Sequence, residues 1–136
     1  MRFLPTHVHG MLDYGVGLLL ILAPYILGFA DGGAAQLVPQ TLGAGAILYA
    51  FFTDYELGLV RLIPMPVHLL LDAASGALLA ISPWLFGFAD RVWVPHLVLG
   101  LVEIGASLVT RTTPGTRAAP SGIGPTRARH PAGPER

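Results

Sequence analysis

Four long apolar runs, Val8–Phe29, Leu37–Phe52, Val67–Phe88 and Val94–Val109, alternate with short polar clusters along this chain. None carries a continuous charged face, so each is predicted to be a helix surrounded by apolar material. The first and third span 22 residues, enough to cross a hydrocarbon core of ~30 Å at about 1.5 Å per residue. The second and fourth span 16, a length that also suits a buried core helix. Asp31-Gly32-Gly33 closes the first run and Asp90-Arg91 the third, with Pro39 and Pro95 near the start of the helix that follows. The pattern thus reads as two helical hairpins.

The hairpins are copies of one another. Arg2–Asp31 aligns without a gap on Arg61–Asp90, and 14 of the 30 aligned positions are identical. The identities include Arg2/Arg61, Pro5/Pro64, His9/His68, Asp13/Asp72, Gly17/Gly76, Pro24/Pro83 and a closing Gly-Phe-Ala-Asp. Two-crossing units in tandem enter a bilayer in the same orientation. The expected fold is therefore all-α: a four-helix transmembrane bundle of two hairpins, related by a pseudo-twofold along the membrane normal. Residues 1–53 form the first unit and 66–111 the second. Residues 54–65 form an interfacial linker, amphipathic through Leu57, Leu59, Val60 and Leu62. Residues 112–136, rich in Pro, Gly, Thr, Ala and Arg, are expected to be a disordered cytoplasmic tail.

Composition agrees with lipid as the solvent. Of the 136 residues, 53% are hydrophobic and 12% charged, and mean hydropathy is +0.63, whereas soluble domains carry about 25% charged residues. Net charge is zero, so no nucleic-acid partner is expected. Cysteine is absent, which excludes disulfides, thiolate metal sites and cysteine nucleophiles. Asp13 within the first run, with no small-residue cleavage site after it, argues for an uncleaved anchor. There is no lysine. Arg2, Arg61, Arg111, Arg117, Arg127, Arg129 and Arg136 share one side of the predicted topology, and Arg91 alone takes the other. The positive-inside rule then places both termini and the linker in the cytoplasm, in a multi-pass protein of the cell (inner) membrane.

The first helix of each unit ends on a signature, Ala23-Pro24-Tyr25 in one copy and Ser82-Pro83-Trp84 in the other. Proline lacks an N–H and clashes with the preceding turn, so it kinks or ends the helix. Ser82 can return a hydrogen bond to the freed carbonyl, and Tyr25 and Trp84 fall where aromatic rings anchor to headgroups. Ser82-Pro83-Trp84 ahead of Leu-Phe-Gly-Phe-Ala-Asp, inside a duplicated hairpin, resembles the SPW repeat family of prokaryotic integral membrane proteins over Val8–Thr110. The first copy departs from that pattern at Ala23 and Tyr25. The resemblance implies a membrane location and a hairpin repeat. It implies no activity and no catalytic residue.

His9-x-x-x-Asp13 and His68-x-x-x-Asp72 place an imidazole and a carboxylate on one helix face, with Gly17 and Gly76 one turn deeper. Small residues there predict a close approach of the first helix to the third. Each pair closing on itself is the structural expectation, with Asp favoured near a helix N-terminus. Convergence of the two pairs is the alternative. Two imidazoles and two carboxylates suit a tetrahedral divalent metal such as zinc, and two imidazoles suit a haem iron. His7 aligns with Pro66 and so lies outside the repeated design. Glu103 is the one acid inside the fourth run, on a stripe with His96, Gly100 and Ser107, and has no acidic counterpart near Ala46 or Ile47.

No nucleotide loop, nucleophile elbow, His-Glu-x-x-His pair or haem-attachment sequence is present. The leading expectation is a non-enzymatic membrane component without a cofactor, acting by packing, self-association or contact with another membrane protein. The alternatives are a metal or haem protein built on His9, Asp13, His68 and Asp72, and a proton- or cation-coupled carrier centred on Glu103.

Overall fold

A computed structural model describes residues 1–115 of the chain. The expected tail falls mostly outside them, at 116–136. Among the described residues there are four helices, α1 (Thr6–Ile26), α2 (Ala34–Phe51), α3 (Met65–Leu85) and α4 (Val94–Val109). Among the described residues no strand forms beyond two isolated parallel bridges, Leu4 with Thr110 and Thr53 with Ile63. Packing is closest within each hairpin, α1 on α2 and α3 on α4, and α2 also touches α3. The result is a four-helix bundle. α1 and α3 are long and apolar enough to cross a membrane, and α4 is a shorter apolar helix.

Apolar and polar positions are distributed inside out relative to a soluble bundle. Leu18, Leu22, Leu70, Ile81, Leu101 and Leu108 are exposed, while His9, Asp13, Thr53, His68, Asp72, His96 and Thr110 are buried. A bilayer makes no distinction between Leu in the core and Leu on the outside, so helix packing there relies on small residues and polar contacts.

Small residues set the hairpin crossings. α1 meets α2 at Gly17 and Gly43, and α3 meets α4 at Gly76 and Gly100. A Cβ on Gly17 would lie 2.9 Å from the Gly43 carbonyl oxygen, and one on Gly76 would lie 2.7 Å from that of Gly100. The glycines therefore bring each helix against the second helix of its own unit. The expected approach of α1 to α3 at these positions does not occur. The physical reason is the hairpin itself, because a short loop leaves the sequential neighbour as the partner that can come closest.

Each signature proline frees a carbonyl one turn back. Ser82 Oγ donates to Leu79 O at 2.7 Å, the acceptor that Pro83 leaves without an N–H. The helix ends two residues later at Leu85, where Gly87 (φ +70°) turns the chain in the left-handed region and Phe88 N–H donates back to Pro83 O. The first copy ends the same way, with Gly28 at φ +74° and Phe29 N–H on Pro24 O. Tyr25 and Trp84 face outward.

Pro39 lies a full turn inside α2, which frees Ala35 O in the same manner. That carbonyl is satisfied from another helix. His96 on α4 places Nε2 2.9 Å from Ala35 O, with its ring between those of Phe29 and Phe88. A carbonyl only accepts, so His96 carries its proton on Nε2. His96→Leu is expected to cost about 1–3 kcal/mol, the penalty for an unsatisfied buried acceptor. Pro39→Ala supplies an N–H within α2 and should recover most of that loss. Thermal unfolding of the two single variants and the double variant in detergent measures the recovery, and additive losses would contradict this account.

The linker forms turns and carries no helix. Leu59, Val60 and Leu62 are exposed along it, whereas Tyr55 is buried and packs with Ala50, Met65 and Leu69. Thr6 Oγ1 lies 2.8 and 2.7 Å from the two carboxylate oxygens of Glu56, which also accepts the Gly115 N–H at 2.7 Å. Partial burial pushes the Glu56 carboxyl up, but those hydrogen bonds outweigh it and hold the group below the usual carboxylate range. At the opposite end Asp31 lies 2.6 Å from Arg91. Its carboxyl is lowered first by the Gly33 N–H and then by Arg91.

Candidate functional site

The helical spacing that puts His9 above Asp13 and His68 above Asp72 brings all four side chains to one point inside the bundle. The shorter contacts run across the units. His9 Nε2 lies 2.9 Å from Asp72 Oδ2 and 3.3 Å from Asp13 Oδ1, and His68 Nε2 lies 3.0 Å from Asp13 Oδ2 and 3.3 Å from Asp72 Oδ2. The imidazole rings meet edge-on with centroids 5.4 Å apart. All four residues are at most 9% exposed. The pairs therefore do not close on themselves. Each aspartate bridges both histidines, because α1 and α3 face each other at this depth with their polar stripes inward.

Two threonines complete the arrangement. Thr53, just beyond α2, and Thr110, at the end of α4, each donate their hydroxyl proton to the carbonyl one turn back, Tyr49 O at 2.7 Å and Ala106 O at 2.6 Å. A hydroxyl has one proton. Thr53 Oγ1 therefore accepts from His68 Nδ1–H at 2.8 Å, and Thr110 Oγ1 accepts from His9 Nδ1–H at 3.0 Å. Both histidines thus carry a proton on the outer nitrogen and aim Nε2 at the aspartates. Tyr49 OH donates to Asp72 Oδ1 at 2.6 Å, and Tyr55 OH stands 3.5 Å from Asp13 Oδ2.

Thr53, Thr110, Tyr49 and Tyr55 are absent from the sequence reading. Thr53 and Thr110 do leave a trace in it, since each ends its unit 57 positions apart, as do Gly43 and Gly100. The first helices repeat at 59, so an ungapped alignment carried into the second helices misses the match.

The remaining candidates divide cleanly. His7 is exposed and takes no part. Glu103 is half-buried, 3.5 Å from Ser75 Oγ, and lines a cavity of about 40 Å³ with His9, Asp13, Tyr49 and Asp72. It is therefore a neighbour of the quartet rather than a separate site. Pro24, Tyr25, Ser82, Pro83 and Trp84 lie at the other ends of α1 and α3 and do not join it. A haem between His9 and His68 is ruled out by this geometry. Asp13 and Asp72 oxygens occupy the space between the two Nε2 atoms, within 3.3 Å of each, and leave no slot for a macrocycle.

With the hairpins, the Ser-Pro-Trp helix end and the paired His–Asp notches in view, comparison with known families gives a match. The SPW repeat domain covers residues 7–110. The chain belongs to the SPW repeat family. Neither a curated protein nor a solved structure matches it. Family membership and the two long apolar helices point to a membrane protein, and the quartet is a feature of this SPW repeat chain read from its own side chains.

Proposed function

We propose that this SPW repeat protein is a non-enzymatic membrane scaffold of the bacterial inner membrane, made by tandem duplication. Its two hairpins are related by a pseudo-twofold along the membrane normal and locked together by the buried His–Asp quartet. The observation that carries the reading is the recurrence of contacts between units in exchanged form. Leu4 N–H donates to Val109 O and Arg111 N–H to Leu4 O; Ile63 N–H donates to Phe52 O and Asp54 N–H to Ile63 O. The Thr110–His9 and Thr53–His68 pairs repeat the exchange in the core. Such contacts tie the start of each unit to the end of the other, so neither hairpin closes its polar end alone. Its partners are the bilayer, through the exposed leucines, and further copies of the chain or other membrane proteins.

Both termini and the linker are placed in the cytoplasm, with the Asp31 and Arg91 turns outside, from the arginine distribution. The lack of cysteine makes the test direct. Single cysteines replacing Asp54 and Arg91 are expected to divide, with position 91 labelled by an impermeant thiol reagent on intact cells and position 54 only after lysis. Labelling of position 54 from outside would refute the topology.

A further inference from the structure

We propose that His9, Asp13, His68 and Asp72 form a tetrahedral site for one divalent first-row transition metal, zinc foremost. The ligands are both Nε2 atoms and one oxygen of each aspartate. One such atom from each residue lies within 4.8 Å of all the others. Donors about 2.0–2.2 Å from a tetrahedral metal stand about 3.3–3.6 Å apart. Asp72 Oδ2 stands 2.9 Å from His9 Nε2 and 3.3 Å from His68 Nε2. Asp13 offers Oδ2 at 3.0 Å from His68 Nε2 or Oδ1 at 3.3 Å from His9 Nε2, so the shorter approaches need to open only slightly as Asp13 turns one oxygen to the centre.

Proton placement points the same way. The threonine hydroxyls give their protons to backbone carbonyls and so hold each imidazole with N–H outward and Nε2 inward. An outward N–H bonded to a fixed acceptor is how metal-binding histidines are oriented. Tyr49 occupies Asp72 Oδ1, which leaves Oδ2 as a single donor toward the centre. A divalent cation meets two carboxylates with equal and opposite charge, a balance that matters at a site this deeply buried. Two imidazole donors favour zinc, cobalt or nickel over magnesium or calcium, which prefer oxygen alone.

The inference goes beyond the scaffold reading and stands apart from it. Failure to bind metal would leave the topology intact, and inverted labelling would leave the site intact. The test uses the full chain purified in detergent, stripped with a chelator, and titrated with Co²⁺ as an optical probe. One Co²⁺ per chain is expected, with the strong visible absorption of tetrahedral coordination, displaced by one equivalent of Zn²⁺ and untouched by excess Mg²⁺. His68→Asn should weaken binding at least a hundredfold, and His7→Asn should leave it unchanged. Should His68→Asn fail to fold, Thr53→Val and Thr110→Val keep all four ligands. They are expected to weaken Co²⁺ binding about ten- to a hundredfold with helical content preserved. No stoichiometric Co²⁺, weak octahedral absorption, or a folded His68→Asn or threonine variant of undiminished affinity would overturn the proposal.

Discussion

Replacing Asp13 with leucine is expected to destabilise the chelator-treated protein by about 3–5 kcal/mol, the cost of removing one partner from a buried charge network. Asp13 bridges His9 at 3.3 Å and His68 at 3.0 Å, so its loss leaves two inward-facing imidazoles to share Asp72. Tyr55, capping the cluster from the linker, loses its nearest carboxylate as well. Neither imidazole can turn to solvent, since Thr53 and Thr110 hold their outer nitrogens. Unfolding followed by circular dichroism in detergent gives the number. Double-mutant cycles add the geometry: coupling of Asp13 to His68 across the units should exceed its coupling to His9 on the same helix. The reverse order would mean that the units do not exchange partners, and the lock between hairpins would lose its basis.

Gly43→Leu should prevent proper closure of the first hairpin, whereas Gly45→Leu, two residues along the same helix, should be neutral or stabilising. A Cβ at Gly43 would stand 2.5 Å from Gly17 O and 2.8 Å from Leu20 Cβ, and backbone on that side cannot yield as a flexible side chain would. A Cβ at Gly45 would meet nothing within 4 Å. Overpacking at a tight contact costs about 1–3 kcal/mol for an added methylene or two, and leucine adds more. Against that, glycine gives up roughly 1 kcal/mol of helix propensity, which either substitution recovers. Paired thermal unfolding curves decide the matter. Equal melting temperatures for the two variants would show that the Gly17–Gly43 crossing does not set the hairpin.

How much of this was legible beforehand follows from the range of each interaction. Residues at fixed helical spacing declare their shared face, so His9 with Asp13 and His68 with Asp72 could be read as paired notches. Ser82 beside Pro83 declares a hydroxyl next to a freed carbonyl, three residues back. Pro39 by its local sequence is only a proline near a helix start. Its freed carbonyl on Ala35 is met by His96, sixty-one positions away, and no local pattern connects them.

Apolar periodicity and the sequence match between the two halves, both local or self-similar properties, specify helices, hairpins and a matching His–Asp notch in each hairpin. Which helix each glycine would touch, which histidine each aspartate would join, and that Thr53, Thr110 and Tyr49 would fasten the cluster depended on how the hairpins dock. The reason is energetic: the four buried side chains of the quartet must find partners together, and the residues that meet them come from four helices and a linker turn that are adjacent only in space.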